Sequence, residues 1–143
     1  MLSIKNAIPH RPPFLFLDEI TELGGNFIKA QRMIRVDEPH FQGHYPGNPI
    51  MPGVLLCEAT FQAAAVYLFH KMELENNSKP TVTPVLSRIT DAKFKRMVKP
   101  GDRIEIEVIF KETLSNFHFL QGVVRKDGKI ALTLSFALAL VNG

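Results

Sequence analysis

The stretch Gly53-Val-Leu-Leu-Cys-Glu-Ala-Thr-Phe-Gln-Ala-Ala-Ala-Val-Tyr-Leu-Phe69 decides the fold. It is too long for a strand, rich in Ala and Leu, and apolar on nearly every side. A helix of that kind is buried all round. Pro52 at its first turn costs little, because the first N–H groups of a helix have no intrahelical partner. The pattern runs to about Glu75, where Asn76-Asn77-Ser78 stops it.

Outward from this helix the chain reads as strands. In Ile130-Ala-Leu-Thr-Leu-Ser-Phe-Ala-Leu-Ala-Leu140 the bulky residues take every second place, which puts one large apolar face on a long strand. Asp127-Gly128 ahead of it marks a tight hairpin, so Asn116–Arg125 is the partner strand. Pro100-Gly101-Asp102 is a turn before Arg103–Glu112, where Ile104, Ile106, Val108 and Phe110 alternate with Glu105 and Glu107. Val82–Phe94, Phe14–Leu23 and Phe27–Val36 complete about six strands, the last two joined at Gly24-Gly25-Asn26. A sheet can cover a helix that is apolar all round only by curling about it. The expected architecture is α+β, one long central helix wrapped by an antiparallel sheet, in a single domain over 1–143.

Composition agrees with an ordinary folded domain. Of 143 residues, 45% are hydrophobic and 22% charged, which excludes intrinsic disorder. The single cysteine, Cys57, excludes an internal disulfide framework and a four-cysteine zinc site, and fits a reducing compartment. The start, MLSIKNAIPHRPP, lacks the apolar run of a secretory signal. The runs near 53–69 and 130–141 do not read as membrane spans, the first because it carries Glu58 and Gln62, the second because it is short. Net charge is +3, with Lys93, Lys95, Arg96, Lys99 and Arg103 forming a local cluster. An acidic protein, nucleic acid or plain solvent could face it. No nucleic-acid motif or aromatic interleaving accompanies it, so nucleic acid is not expected.

Chemistry concentrates between Pro39 and Gly53, where four prolines (Pro39, Pro46, Pro49, Pro52) and three glycines (Gly43, Gly47, Gly53) make a rigid, non-repetitive loop. Rigid loops against a helix N-terminus commonly hold functional groups. His40 and His44 are four apart, a metal-ligand spacing only on a helix, which the prolines and glycines argue against; no metal is expected. Glu58 is the only charged residue from Gly53 to Phe69. A lone carboxylate on such a helix needs a reason: a subunit interface, an arginine partner, or service as an acid or base. Cys57 points about 100° away around the helix and reads as a buried, inert thiol.

Gly43-His44-Tyr45-Pro46-Gly47-Asn48-Pro49-Ile50-Met51-Pro52-Gly53-Val54, followed by Glu58-Ala59 and Gln62-Ala63, closely resembles the signature of the FabZ-type 3-hydroxyacyl-[acyl-carrier-protein] dehydratases. Ile8-Pro9-His10-Arg11-Pro12-Pro13-Phe14-Leu15 resembles the family's opening, and Lys93-Phe94-Lys95-Arg96 with Val98-Lys99-Pro100-Gly101-Asp102 its segment after the helix. Tyr45 stands where phenylalanine is usual, and Ile50 where valine is usual. The resemblance implies the hotdog fold, with His44 as the catalytic histidine and Glu58 as the catalytic carboxylate. It implies that the Gly53 N–H binds the substrate carbonyl, with Tyr45, Pro52 and Val54 supporting the loop and tunnel wall. Glutamate at position 58, where the sister dehydratase/isomerases carry aspartate, favours the plain dehydratase.

The residue types suit the reaction. A neutral imidazole can take the C2 proton of a 3-hydroxyacyl thioester near pH 7. Glu58 can orient or protonate the departing hydroxyl, and the Gly53 N–H can meet charge on the thioester oxygen. No cofactor is needed. In the family the site lies between two subunits of a homodimer, and such dimers often assemble further into hexamers. The implied partner is acyl carrier protein, with Lys93, Lys95, Arg96, Lys99 and Arg103 as candidate docking residues, and the implied location is the cytoplasm. A hotdog thioesterase and a non-catalytic acyl-thioester binding module are the alternative readings. The first would not need the His44 loop, and the second would not need both His44 and Glu58.

Overall fold

The computed structural model describes residues 3–77 and 80–142. A short helix, α1 (Ile4–Ala7), precedes strands β1 (Glu19–Leu23) and β2 (Phe27–Met33). The long helix α2 (Gly53–Asn76) follows, then β3 (Val82–Phe94), β4 (Arg103–Leu114), β5 (Phe117–Lys126) and β6 (Lys129–Asn142). The six strands form one antiparallel sheet in the order β1-β2-β4-β5-β6-β3. The expected α+β wrap about a central helix is what forms.

Helix α2 is enclosed as its composition requires. Leu56, Cys57 and every residue from Ala59 to Leu68 are buried. The inward residues of the sheet meet them: Ile28 and Ala30 from β2, Ile104, Ile106 and Val108 from β4, Leu120 and Val124 from β5, and Leu132, Leu134 and Phe136 from β6. Gly122 of β5 marks the tightest approach, since a Cβ there would lie 2.3 Å from Thr60 Cγ2. By length and composition α2 could cross a membrane, but 67% of its most apolar window is buried inside the domain. Asn77 ends it in the left-handed conformation, φ 51°; Ser78, the last residue of the expected stop, lies outside the described residues.

Turn chemistry sets the register. Asp127 and Gly128 both have positive φ, 52° and 75°, so Lys126 pairs with Lys129 across the two-residue turn. Two expected strands prove shorter. Phe14–Asp18 stays outside β1, because the Gln62 side chain takes the place of a ladder: the Phe16 N–H donates to Gln62 Oε1 and Gln62 Nε2 donates to the Phe14 carbonyl. β2 ends at Met33, because the Arg35 N–H turns away to the Glu38 carboxylate. That carboxylate also pairs with Arg32, both nearly fully buried, and anchors the start of the loop that leads to α2.

β3 forms the edge next to β6, and every residue from Val85 to Phe94 is exposed. Val85, Leu86, Ile89 and Phe94 are among them, an apolar edge on a strand whose other side pairs with no strand among the described residues.

Candidate active site

The loop between β2 and α2 holds His44 in a defined state. A single turn of 3-10 helix, Pro39–Gln42, opens it. It includes His40 but not His44, so the two histidines do not share a helical face. Further on, the Met51 N–H donates to the Val98 carbonyl at 2.7 Å, and both residues are buried in the core. His44 Nδ1 lies 2.8 Å from the Ile50 carbonyl oxygen. A carbonyl only accepts, so Nδ1 carries a proton, and in the neutral ring it is Nε2 that keeps the lone pair. The loop thus fixes the tautomer in which Nε2 can act as a base. Tyr45 stands edge-on to the His44 ring, 4.7 Å between centroids, and is itself largely exposed.

Helix α2 begins at the other end of the loop. Pro52 is its N-cap, and the N–H groups of Leu55 and Leu56 donate to the Pro52 carbonyl. Among the described residues nothing accepts a hydrogen bond from the Gly53 N–H, which therefore points out from the positive end of a 24-residue helix. Gly53 is glycine for a steric reason: a Cβ there would fall 2.7 Å from Cε1 of Phe94, whose ring lies against the helix start. Val54 next to it is exposed.

Glu58 sits one turn further along and is not fully enclosed. Its side chain is 24% exposed in the single chain, where the residues around it on α2 are buried. Gln62, one turn on, donates from Nε2 to Glu58 Oε2 at 3.1 Å. The same Gln62 accepts the Phe16 N–H on Oε1, which fixes the direction of its amide. His10 approaches Oε2 from the N-terminal segment, with Nε2 at 3.5 Å. Within the chain Glu58 therefore pairs with His10 rather than with His44. Gln62 and His10 stand in the quoted signatures without a role read from sequence. The signal for Gln62 was available: it is the other strongly polar side chain in the most apolar part of α2.

The five basic residues Lys93, Lys95, Arg96, Lys99 and Arg103 are all exposed. Lys93 is the last residue but one of β3, Arg103 opens β4, and Arg96 spends one guanidinium N–H on the Ile130 carbonyl. A cleft of about 490 Å³ lies elsewhere, between α1 and the β1–β2 edge, and is lined by Lys5, Asp18, Glu19, Arg32 and Arg35. Within it Asp18 pairs with both Arg32 and Arg35, and neither His44 nor Glu58 lines it. Burial raises the Cys57 thiol above its usual range, which agrees with an inert core cysteine.

A base on a rigid loop, an N–H at a helix start with no acceptor among the described residues and a carboxylate just over one turn along that helix define the class. Residues 8–135 match the family of FabA-like domains, and the chain belongs to that family. Within it the chain is of the FabZ type, the 3-hydroxyacyl-[acyl-carrier-protein] dehydratases. The dehydratase of this name from Clostridium perfringens is 36% identical over 138 residues, covering 96% of each chain. The one from Klebsiella pneumoniae is 39% identical over 129 residues, 90% of this chain and 83% of the relative. Among solved structures, the dehydratase heterocomplex ApeI:P from Xenorhabdus doucetiae superposes with a TM-score of 0.84 at 16% identity, over 99% of this chain and 93% of that one. A hypothetical thioesterase from Streptococcus pneumoniae superposes with a TM-score of 0.64 at 11% identity, over 87% and 85%, a likeness of fold alone.

Proposed function

We propose that this chain, acting as one domain in the cytoplasm, removes water from (3R)-3-hydroxyacyl thioesters of acyl carrier protein to give trans-2-enoyl thioesters in fatty acid biosynthesis. The observation that carries the reading is the His44 tautomer: with Nδ1 held by the Ile50 carbonyl, Nε2 is free to take the C2 proton. Negative charge then builds on the thioester oxygen, where the Gly53 N–H and the helix dipole can receive it. Glu58 serves the other end of the bond being broken. Its proton passes to the departing hydroxide, the products are water and the enoyl thioester, and both groups are reset when His44 gives the C2 proton to solvent and Glu58 takes one back from it. No step requires a metal or an organic cofactor.

His44 and Glu58 of one chain do not pair, so we assign the working site to two subunits, His44 from one and Glu58 from the other. The exposed apolar edge of β3 supports a homodimer, since an unpaired strand edge of this kind is a ready template for a second copy. The thioesterase reading draws on shared fold only, and nothing in the site favours it. For the carrier we assign a subset of Lys93, Lys95, Arg96, Lys99 and Arg103, whose exposed charges suit an acidic protein.

The test is hydration of a trans-2-enoyl thioester, followed by loss of enoyl absorbance, with His44→Ala and Glu58→Gln dimers. Each should fall roughly 100-fold or more, the scale of a general acid or base. Mixed and allowed to exchange, the two inactive variants should recover part of the activity, since a heterodimer has one site with both native residues. Near-normal turnover in either single variant refutes the assignment. Demonstrated exchange without recovery refutes the shared site.

A further inference from the structure

We propose that His10 is a positioning residue for Glu58, an N–H donor that strengthens the acid as it gives up its proton; this deepens the dehydratase reading and rests on it. Four observations converge. His10 Nε2 is 3.5 Å from Glu58 Oε2, the oxygen that also takes the Gln62 amide. The approach is built rather than incidental, because the segment on either side of His10 is tied down. Arg11 donates to the carbonyls of Lys5, Ile8 and His10, while Gln62 holds Phe14 and Phe16. Phe14 also lies nearly parallel to the His10 ring, at 20°. Lastly, His10 Nδ1 is buried with no hydrogen-bond partner.

These facts select a tautomer. A neutral ring has one N–H; Nδ1 finds no acceptor and Nε2 faces a carboxylate oxygen, so the N–H sits on Nε2. Gln62 Nε2 can only donate, because its Oε1 is committed to the Phe16 N–H. Oε2 of Glu58 thus accepts the Gln62 amide and faces His10 Nε2 at 3.5 Å, which leaves Oε1 as the oxygen free to carry the acid proton. When Oε1 releases that proton to the departing hydroxide, negative charge spreads to Oε2, where the Gln62 N–H already points and His10 Nε2 stands close enough to tighten onto it. Among the described residues, Glu58 is the charged group facing His10 from α2, and Arg11 is the one beside it on its own segment, spent on backbone carbonyls.

The experiment compares His10→Leu, which deletes the donor, with His10→Gln, whose amide can reach the same point. Both are measured as dimers with a pantetheine-type 3-hydroxyacyl thioester across pH. His10→Leu should lose roughly tenfold in kcat, the scale of one hydrogen bond to a developing charge, with KM within about twofold. The high-pH limb of kcat, where Glu58 loses its proton, should move upward, because the neutral acid is no longer pressed to ionise. His10→Gln should recover most of kcat and return the limb. A leucine variant with unchanged kcat and unchanged limb overturns the proposal. So does a glutamine variant as impaired as leucine with the limb in its native place, since that result makes His10 a packing residue only. Should His10→Leu fail to fold, the position of the limb in His10→Gln against the native protein and His10→Asn, whose amide is one bond too short, decides the matter. A native protein that turns over no such thioester, or an active Glu58→Gln variant, instead overturns the dehydratase reading.

Discussion

Replacing Gly122 with alanine tests how the sheet sets the height of the catalytic helix. Gly122 pairs with Val108 on one side and Leu134 on the other, under the middle of α2. An added Cβ would lie 2.3 Å from Thr60 Cγ2 and 3.1 Å from Leu134 Cδ2. Carbon atoms rest at about 3.5–4.0 Å, so more than an ångström must be found. Thr60 cannot swing aside freely, being fully buried with Oγ1 donating to the Leu56 carbonyl at 2.9 Å. The Gly122 backbone is not in the left-handed region, so alanine itself is tolerated there. Loss of glycine's freedom in the unfolded chain contributes roughly 0.4–1 kcal/mol of stability. Overpacking costs about 1–3 kcal/mol, and so prevails. The expected net loss is roughly 1–2 kcal/mol, a fall in Tm of about 4–8 °C for a chain of this size. Thr60→Ser alone removes the obstructing methyl and should cost about 1 kcal/mol. The double variant should then be little worse than Thr60→Ser, a coupling of roughly 1 kcal/mol or more. Urea melts at one fixed protein concentration measure the cycle, since subunit association enters any apparent stability. Enoyl hydration read in parallel should fall in Gly122→Ala, because Glu58 lies two residues before Thr60, and recover in the double variant. Strict additivity, or a Gly122→Ala protein as stable as the native one, refutes the packing argument.

Three further outcomes are expected. Glu38→Gln should destabilise the domain by about 3 kcal/mol in the same melts, because it removes the nearest and most buried anion beside the buried Arg32 guanidinium and leaves only the more distant, partly exposed Asp18. Burial lowers the pKa of His40 and of His118 from the ordinary 6.5, for His118 with help from the Lys71 charge. Above pH 6.5 both are neutral whether folded or not; below it the unfolded chain takes up protons the folded one refuses. Stability should therefore decline as pH falls from 6.5, and His118→Asn should flatten that decline in denaturation curves. Reversing two charges among Lys93, Lys95, Arg96, Lys99 and Arg103 should raise KM for carrier-bound substrate at low salt, and leave turnover of a pantetheine thioester almost unchanged. Should every such pair leave that KM and its salt dependence as they were, the cluster is a solvated face.

Helix α2 and the strands from β3 to β6 were legible because each depends on local pattern: an all-apolar run too long for a strand, and bulky residues at every second place. The enclosing of that helix by the sheet followed from the same pattern, since no other arrangement covers it. His44 and Glu58 were legible as chemistry out of place, a histidine in a loop of prolines and glycines and a carboxylate on an apolar helix. The limits of β1 and β2 were not legible, because they are set by side chains from distant sequence, Gln62 on one and Glu38 on the other, competing for backbone groups that alternation alone assigns to a ladder. Nor could pattern reveal which nitrogen of His44 holds the proton. That depends on the Ile50 carbonyl reaching Nδ1 once the Met51–Val98 bond has closed the loop against the core. His10 beside Glu58 is a contact across 48 residues of chain, and Phe94 against Gly53 one across 41, so each exists only when the strands and helix have packed. Sequence by itself determined which elements form and which residues carry chemistry, because periodicity and residue type are local. Hydrogen-bond direction, proton location and the neighbours of the acid were decided by tertiary structure, because they rest on groups that only the closed fold brings within reach.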